Sequence, residues 1–331
     1  MNLRRRAFLR TAAAAAAATA TSRFAQAASD FPSRPITLIV GFAAGGPTDV
    51  YARVLAQAMQ KSLGVTVIVE AVPGAAGSLG AGRVARAAPD GYTLCVGPGM
   101  STHVINGAIY DLPYDVVRDF TPIALISFLH QIVLVKKEMP ANDLKGFVAW
   151  LKANPDVAME ATSGPGSPAH VAGLLLQKET GTSFRFIPYR GLGPALQDLV
   201  AGRVDFMIDA GINAMPHVRS GAIKAYTVMS ESRAPAAPEV PSADEAGFPG
   251  LRTSLWQSIF APKGVPKDVV DKLSGAVRAA LTDPELRARF ADQGHVIVPP
   301  DRQSPEALAE FQRAEIERWW PIIKTAKIKA E

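Results

Sequence analysis

The sequence predicts an α/β protein built from two lobes. Between residues 36 and 97, apolar runs of strand length alternate with runs whose apolar residues recur at helical spacing. The same alternation restarts at residue 144, and in both stretches strands are followed by loops rich in Gly, Ser, Thr or Pro. Alternation at this spacing favours parallel βαβ units. A chain of 331 residues is also long enough to divide into two lobes.

The first 27 residues predict an export signal rather than part of the fold. A basic stretch at 4–10 precedes an Ala-rich run at 11–21, and Ala25-Gln26-Ala27 fits the small-x-small pattern of a cleavage site. The R-R-x-F-L-R core is typical of a twin-arginine signal, with a Sec signal that has an additional Arg as the alternative. We therefore expect export to the periplasm and cleavage near Ala27.

The net charge of the chain argues against a nucleic-acid or acidic-membrane partner. The five arginines of the predicted signal account for the whole net charge of +5, so the mature chain is neutral. After the signal there is no apolar run of about twenty residues, and we expect a mature protein that is not embedded in a membrane. The single cysteine, Cys95, lies on a predicted strand, which favours a core position and excludes both an internal disulfide and a cysteine-cluster metal site.

The first half of the chain predicts one α/β unit and a crossing to a second. An apolar run at 123–135, interrupted by His130-Gln131, exceeds the usual strand length and indicates that the chain leaves one lobe and enters the other. Residues 98–119 are predicted as a loop with helical tendency. The pattern predicts strands at 36–40, 65–69 and 93–97, and helices at 50–59 and 79–88.

The second half repeats this organisation and then returns. A proline-rich stretch at 233–250 predicts a surface connection, and the apolar run at 255–261 predicts the return crossing. Lobe I is therefore expected to comprise 28–128 and 253–331, and lobe II 129–252. Strands are predicted at 157–161, 184–189 and 204–208, and helices at 144–152, 169–179, 194–201 (with Pro194 near its first position), 269–281, 284–291 and 305–327, the last bent at Pro321.

Catalytic and cofactor motifs are missing from the sequence. The five histidines do not form H-E-x-x-H, and neither Ser78 nor Ser167 stands in a G-x-S-x-G frame. The glycine-rich stretches match neither G-x-G-x-x-G nor the Walker A pattern. The sequence therefore predicts a protein that is not an enzyme and that has neither a metal nor a cofactor.

Four small-residue loops, at 41–49, 97–103, 163–170 and 189–193, follow predicted strands. In open α/β sheets ligands bind outside the carboxyl ends of the strands, and backbone amides with hydroxyls hold a carboxylate there without a buried Arg. We hypothesise that the hydroxyls of Thr48, Ser101 and Ser167, with nearby N–H groups, bind one carboxylate. Each loop alone is equally consistent with simple chain reversal, and His103 and His170 with core histidines; the recurrence of the corner favours one shared cleft.

Several motifs together resemble the substrate-binding proteins of tripartite tricarboxylate transporters, the Bug family, over essentially the whole mature length. Each motif alone is weak, and the set is specific. The matching segments are PSRPI at 32–36, FAAGGPTD at 42–49, APDGYTL at 88–94, LPYD at 112–115, PYRG at 188–191, GRVD at 202–205 and FAP at 260–262.

The resemblance implies a type II periplasmic-binding-protein fold, with two doubly wound α/β lobes joined by crossing hinge strands. It implies a monomer that captures a small carboxylate by hinge closure and delivers it to the inner-membrane permease of a tripartite transporter. The alternatives are a ligand-sensing accessory protein for a membrane sensor and, more distantly, an exported hydrolase.

The resemblance also implies ligand contacts from both lobes. The family usually has Pro near Ala43 and Ala44, Asn-Arg at Ala71-Val72 and Glu at Leu174, so the identity of the carboxylate stays open. The implied contacts are Phe42, Ala44, Gly45, Gly46, Thr48, Asp49, Ser101, Thr102 and His103 in the first lobe, and Ser163, Gly166, Ser167, His170, Tyr189, Gly191 and Asp209 in the second.

Overall fold

The computed structural model of the protein describes residues 31–210 and 213–328. The export signal predicted at 1–27 lies outside the described residues. The strands are β1 (Ile36–Val40), β2 (Val67–Ala71), β3 (Thr93–Pro98), β4 (Phe120–His130), β5 (Ile132–Lys136), β6 (Met159–Thr162), β7 (Arg185–Pro188), β8 (Phe206–Asp209), β9 (Ile223–Val228), β10 (Ser254–Pro262) and β11 (Val296–Ile297).

Helices cover both sheets that these strands form. Short 3₁₀ turns lie at Ala75–Gly77, Pro249–Leu251 and Pro300–Arg302, and a π-helical turn lies at Ser101–Ile105. The helices are α1 (Pro47–Leu63), α2 (Ser78–Ala85), α3 (Asn106–Ile109), α4 (Leu144–Ala153), α5 (Pro168–Thr180), α6 (Leu192–Val200), α7 (Met215–Arg219), α8 (Lys267–Ala280), α9 (Pro284–Asp292) and α10 (Pro305–Thr325).

The first lobe is organised on a sheet of order β11-β4-β10-β3-β1-β2. Strand β1 pairs in parallel with β2 and β3, as the strand–helix alternation predicts. Strand β10 inserts antiparallel between β3 and β4. Helix α1 buries Tyr51, Leu55 and Met59, which recur at helical spacing and join the same apolar core as the strands of this sheet.

The second lobe is organised on a sheet of order β7-β6-β8-β5-β9. Strand β6 pairs in parallel with β7 and β8, whereas β5 pairs antiparallel with β8 and β9. The predicted α/β class and two-lobed fold are confirmed. Each sheet is mixed because one strand opposes the others of its parallel core: β10 is antiparallel to β3 and β4 in the first lobe, and β5 is antiparallel to β8 and β9 in the second. The predicted lobe boundaries stay a prediction.

The crossing between lobes occurs over a single residue. Strands β4 and β5 belong to different sheets and are separated by Gln131 alone, so the apolar run at 123–135 spans both sheets. The return strand β10 pairs with β4 from Ser254 onwards. The Gln131 carbonyl accepts the Met229 N–H at 2.7 Å, and the Met229 carbonyl accepts the Thr253 N–H at 2.9 Å, which holds the two crossings side by side.

Some elements differ from the sequence prediction. The sequence analysis does not predict strand β9, whose residues IKAYTV show no alternation of buried and exposed side chains. Helix α6 begins at Leu192, because Gly191 is its N-cap, and Pro194 is therefore not its first residue. Helix α10 contains Pro321 and ends at Thr325, in agreement with the helix predicted at 305–327, and its bend at Pro321 stays a prediction.

Cys95 is buried in the first-lobe sheet, and burial raises the pKa of its thiol to about 12.

Over residues 31–210 and 213–328, no helix combines the length and the apolar character needed to cross a bilayer. In the same part of the chain, His, Cys, Asp and Glu side chains do not gather into a group that could hold a metal ion.

One carboxyl group is buried at a cost to stability. Glu160 is 0% exposed, neither carboxyl oxygen has a hydrogen-bond partner, and burial raises its pKa well above the ordinary value. The folded protein therefore retains this proton at pH values where the unfolded chain has released it. The resulting contribution lowers stability as pH rises from about 4.5 through the raised pKa.

We expect Glu160→Met to raise the free energy of unfolding by about 1–3 kcal/mol at pH 8, because it removes two unpaired acceptors from the core. The gain should shrink as pH falls toward 5, because the cost of keeping Glu160 protonated then disappears and only the cost of its unpaired oxygens remains. Denaturant titrations at several pH values measure this difference. Glu138→Met, at an exposed carboxylate, is the control and should show neither the gain nor its pH dependence.

Candidate functional site

A cavity of about 380 Å³ lies between the two lobes. The first lobe contributes residues that follow β1, precede α2 or belong to the helical segment after β3. The second lobe contributes the whole loop between β6 and α5. The lining residues are Phe42, Ala76, Ser101, Asn106, Ile109 and Tyr110 from the first lobe, and Ser163, Gly164, Pro165, Gly166, Ser167 and Pro168 from the second.

The second-lobe loop is fixed by its own hydrogen bonds. Ser167 is the N-cap of α5, and its Oγ accepts the His170 N–H at 3.3 Å. The Gly166 N–H donates to His170 Nδ1 at 3.0 Å, the Gly164 N–H to Thr162 Oγ1 at 3.3 Å, and the Ser167 N–H to the Gly164 carbonyl at 3.1 Å. Since the Ser167 oxygen accepts from the helix, its O–H remains available to donate into the cavity.

The His170 side chain stabilises this loop by a hydrogen bond to its backbone. Its Nδ1 accepts the Gly166 N–H, which places the ring proton on Nε2. Its ring packs edge-on against Phe186 at 4.3 Å, and burial lowers its pKa. His170 is therefore neutral and orients the loop, and it is not among the residues that line the cavity.

In the π-helical turn after β3, residues close in sequence face either the cavity or the core of the first lobe. Ser101 lines the cavity, whereas His103 is 1% exposed and stacks on Phe260 at 4.0 Å. Thr102 Oγ1 donates to the Pro98 carbonyl at 3.1 Å, so the 2.7 Å contact between Thr102 Oγ1 and His103 Nδ1 uses a proton on Nδ1. Burial lowers the pKa of His103 to about 3, and the ring is a neutral part of the core.

The loop at 41–49 contributes only Phe42 to the cavity wall. Asp49 is buried and binds Arg53 through both carboxyl oxygens, at 2.8 and 3.0 Å, and it accepts the Gly45 N–H at 3.0 Å. The hydrogen bond from Arg53 is the main reason that the pKa of Asp49 is lowered. Asp49 thus stabilises the loop conformation and occupies the Gly45 amide.

The other predicted residues of this loop lie outside the cavity lining. Ala44 and Gly45 are exposed, Gly46 is the N-cap of α1, and the Thr48 methyl packs against Gly97.

The remaining predicted residues of the second lobe lie outside the cavity lining. The Tyr189 hydroxyl donates to Asp198 Oδ2 at 2.8 Å, and Gly191 caps α6 with φ at +110°. Asp209 Oδ1 accepts the Ala210 N–H at 2.6 Å, and burial raises its pKa. These residues are engaged within their own lobe.

The structure therefore brings together Phe42, Ser101, Ser163, Gly166 and Ser167 of the predicted set. Sequence reasoning missed Asn106, Ile109 and Tyr110, which lie on α3 or directly after it. A polar and an aromatic residue spaced by four in the segment predicted to have helical tendency were the available signal.

Asn106 is oriented by the first lobe. Its Nδ2 donates to the Ala76 carbonyl at 3.0 Å and to Ser78 Oγ at 2.8 Å. Both amide hydrogens are therefore used, and Oδ1 can only accept.

The cavity wall is electrically neutral. None of its lining residues, all within the described part of the chain, carries a charged side chain. The N-terminus of α5 lies at Ser167 and Pro168, and its dipole favours an anion there. Hydroxyls and a helix dipole suit a carboxylate without the desolvation cost of a buried ion pair.

The two lobes touch directly beside the cavity. Gly166 has φ at +71°, and a Cβ added to it would lie 2.5 Å from Ile109 Cδ1 of the opposite lobe. Ile109 therefore rests against the bare backbone of the second-lobe loop. A side chain at 166 would force the Ile109 side chain to move away or the lobes to separate at this contact.

Two α/β lobes joined by crossing strands, with a cavity between them, define a periplasmic-binding-protein architecture. The family model described as the tripartite tricarboxylate transporter family receptor, TctC, matches residues 51–328. The chain belongs to this family, which comprises periplasmic solute-binding proteins rather than enzymes.

Individual relatives agree with this membership. The chain is 33% identical to protein BugT of Bordetella pertussis over 305 residues, which is 91% of this chain and 93% of BugT. It is 40% identical to MatC from Rhodopseudomonas palustris with bound malate, with a TM-score of 0.74 and coverage of 88% of this chain and 100% of MatC. R. palustris Rpa4515 with adipate is 31% identical, with a TM-score of 0.76 and coverage of 91% and 99%.

We expect Gly166→Ala to hold the lobes apart, because its Cβ would collide with Ile109. Gly164→Ala is the matched control: it lies in the same loop with φ at +107°, but its added Cβ would meet no atom within 4 Å. Both variants bear backbone strain of about 1 kcal/mol or more. Small-angle scattering should show a larger radius of gyration for Gly166→Ala alone, and equal radii for the two variants would contradict the closure contact.

Proposed function

We propose that the protein captures a small carboxylate in the cavity between its lobes and delivers it to the inner-membrane permease of a tripartite transporter. The observation that carries the proposal is the neutral, hydroxyl-lined cavity at the N-terminus of α5, with walls from both lobes. Membership of the TctC family and the malate and adipate bound to two relatives support a carboxylate ligand. The predicted signal at 1–27 supports a periplasmic location.

We propose that the ligand carboxylate accepts hydrogen bonds from Ser101, Ser163 and Ser167. Ser101 lies on the first lobe and the other two on the second, so the anion contacts both lobes only when they are closed. The ligand therefore binds the closed state more tightly and shifts the population toward it. Release to a permease then requires reopening at the crossing strands.

The remaining predicted residues have supporting roles in this proposal. Asp49 and His170 hold the loops that carry the contact residues, and Thr48 packs by its methyl on Gly97. Thr102, His103, Tyr189, Gly191 and Asp209 stabilise neighbouring elements. No step of the proposed mechanism makes or breaks a covalent bond.

A thermal-shift screen of carboxylic acids should find ligands that stabilise the protein by about 2.7 kcal/mol at 100 times the dissociation constant.

Ser101→Ala should weaken the binding free energy of such a ligand by about 1–3 kcal/mol, because it removes one buried partner of the anion. Ser167→Asp should retain the N-cap of α5 and repel the carboxylate, which separates binding from folding. Calorimetry measures both effects. Ser62→Ala, at an exposed position of α1, is the control, and unchanged affinity in Ser101→Ala and Ser167→Asp would contradict this site.

Delivery to a permease predicts a transport defect. A strain of the source bacterium that lacks this protein should lose high-affinity uptake of the labelled acid found in the screen. Uptake should return with the wild-type gene and stay low with Ser167→Asp. Normal uptake in the deletion strain, with loss of a transcriptional response to the acid, would instead support the sensor function.

A further inference from the structure

Several hydrogen-bond donors around the cavity are already used within the protein. In the second-lobe loop the amides of Gly164, Gly166 and Ser167 already donate within the protein. In the first lobe both amide hydrogens of Asn106 are used by Ala76 and Ser78. The side-chain donors that remain in the lining are hydroxyls, namely those of Ser101, Tyr110, Ser163 and Ser167.

These hydroxyls match the needs of a single carboxylate. A carboxylate has two oxygens with about four lone-pair positions, and the lining offers one O–H from each of four side chains. A second carboxylate would find neither a cation nor a side-chain donor beyond these four, because the described lining residues include no Lys, Arg or His. Moving an unpaired charge out of water is costly.

The rest of the wall is suited to an uncharged ligand body. Phe42, Ala76, Ile109, Pro165 and Pro168 present apolar surface. Because both amide hydrogens of Asn106 are used, its side chain can offer a ligand only the acceptor Oδ1, which disfavours a second carboxylate and favours a hydroxyl or water.

We propose that the preferred ligand is a monocarboxylic acid with an uncharged, largely apolar body, and that dicarboxylates bind more weakly. This inference rests on the proposed function, since it assigns a ligand class to the same cavity. It separates this chain from the relatives whose structures contain malate and adipate.

Calorimetry with matched acids tests the inference on the mature protein. The acids of each pair differ by one carboxylate: adipate has it in place of the terminal methyl of hexanoate, and terephthalate has it in place of the para hydrogen of benzoate. We expect the monocarboxylate of the better-binding pair to bind about tenfold more tightly or more. R. palustris Rpa4515 serves as the positive control for adipate. Equal or tighter binding of the dicarboxylate would overturn the inference and leave the proposed function intact, whereas no binding of any acid in the wider screen would overturn the proposed function itself.

A gain-of-function variant tests the physical reason. Tyr110→Arg supplies the missing cation at the cavity wall and should shift the affinity ratio toward the dicarboxylate by about tenfold. Tyr110→Gln, which is polar and uncharged, is the matched control. Both variants lose the Tyr110 hydroxyl and should bind each acid less tightly through that loss, but only Tyr110→Arg should change the ratio between the two acids. An unchanged ratio in Tyr110→Arg, with binding of the monocarboxylate retained, would overturn the electrostatic explanation.

Discussion

The single-residue crossing at Gln131 is the constraint on which the rest of the structure depends. The Gln131 side chain is 1% exposed, and its backbone joins strands of different sheets. Its Nε2 lies 3.4 Å from the Pro168 carbonyl, at the start of α5, and its Oε1 lies 3.5 Å from Thr253 Oγ1 on the return connection. A buried amide must find partners, and these two couple the binding loop to both crossings.

The cavity follows from this arrangement. Because β4 and β5 continue one into the other, the carboxyl ends of the parallel strands in both sheets face a common space. The loops after β1, β3 and β6 then meet there, and Ile109 contacts Gly166 across it. Lobe closure and ligand contact are thus the same movement in the proposed mechanism.

Hydrogen bonds within the loops decide what the cavity offers. Asp49 takes the Gly45 amide, His170 takes the Gly166 amide, and Thr162 takes the Gly164 amide. These bonds restrain the loops, and in the proposed function they leave recognition of the carboxylate to the serine and tyrosine hydroxyls. A rigid neutral site loses little entropy and avoids buried ion pairs when it binds an anion.

The sequence by itself determined the α/β class, the two lobes, most strands and helices, and the family, because apolar periodicity and turn residues are local signals. Of the four loops that it predicted, those at 41–49, 97–103 and 163–170 reach the cavity, whereas 189–193 does not, and Ala76 reaches it from a turn outside the predicted set. The tertiary structure alone decided which side chains face it: Ser101 turns inward to the cavity and His103 to the core, two residues apart in one π-helical turn. It likewise recruited Asn106 and Tyr110, because their positions depend on how the segment after β3 packs between Ser78, Ala76 and the second lobe, and periodicity carries no record of such contacts.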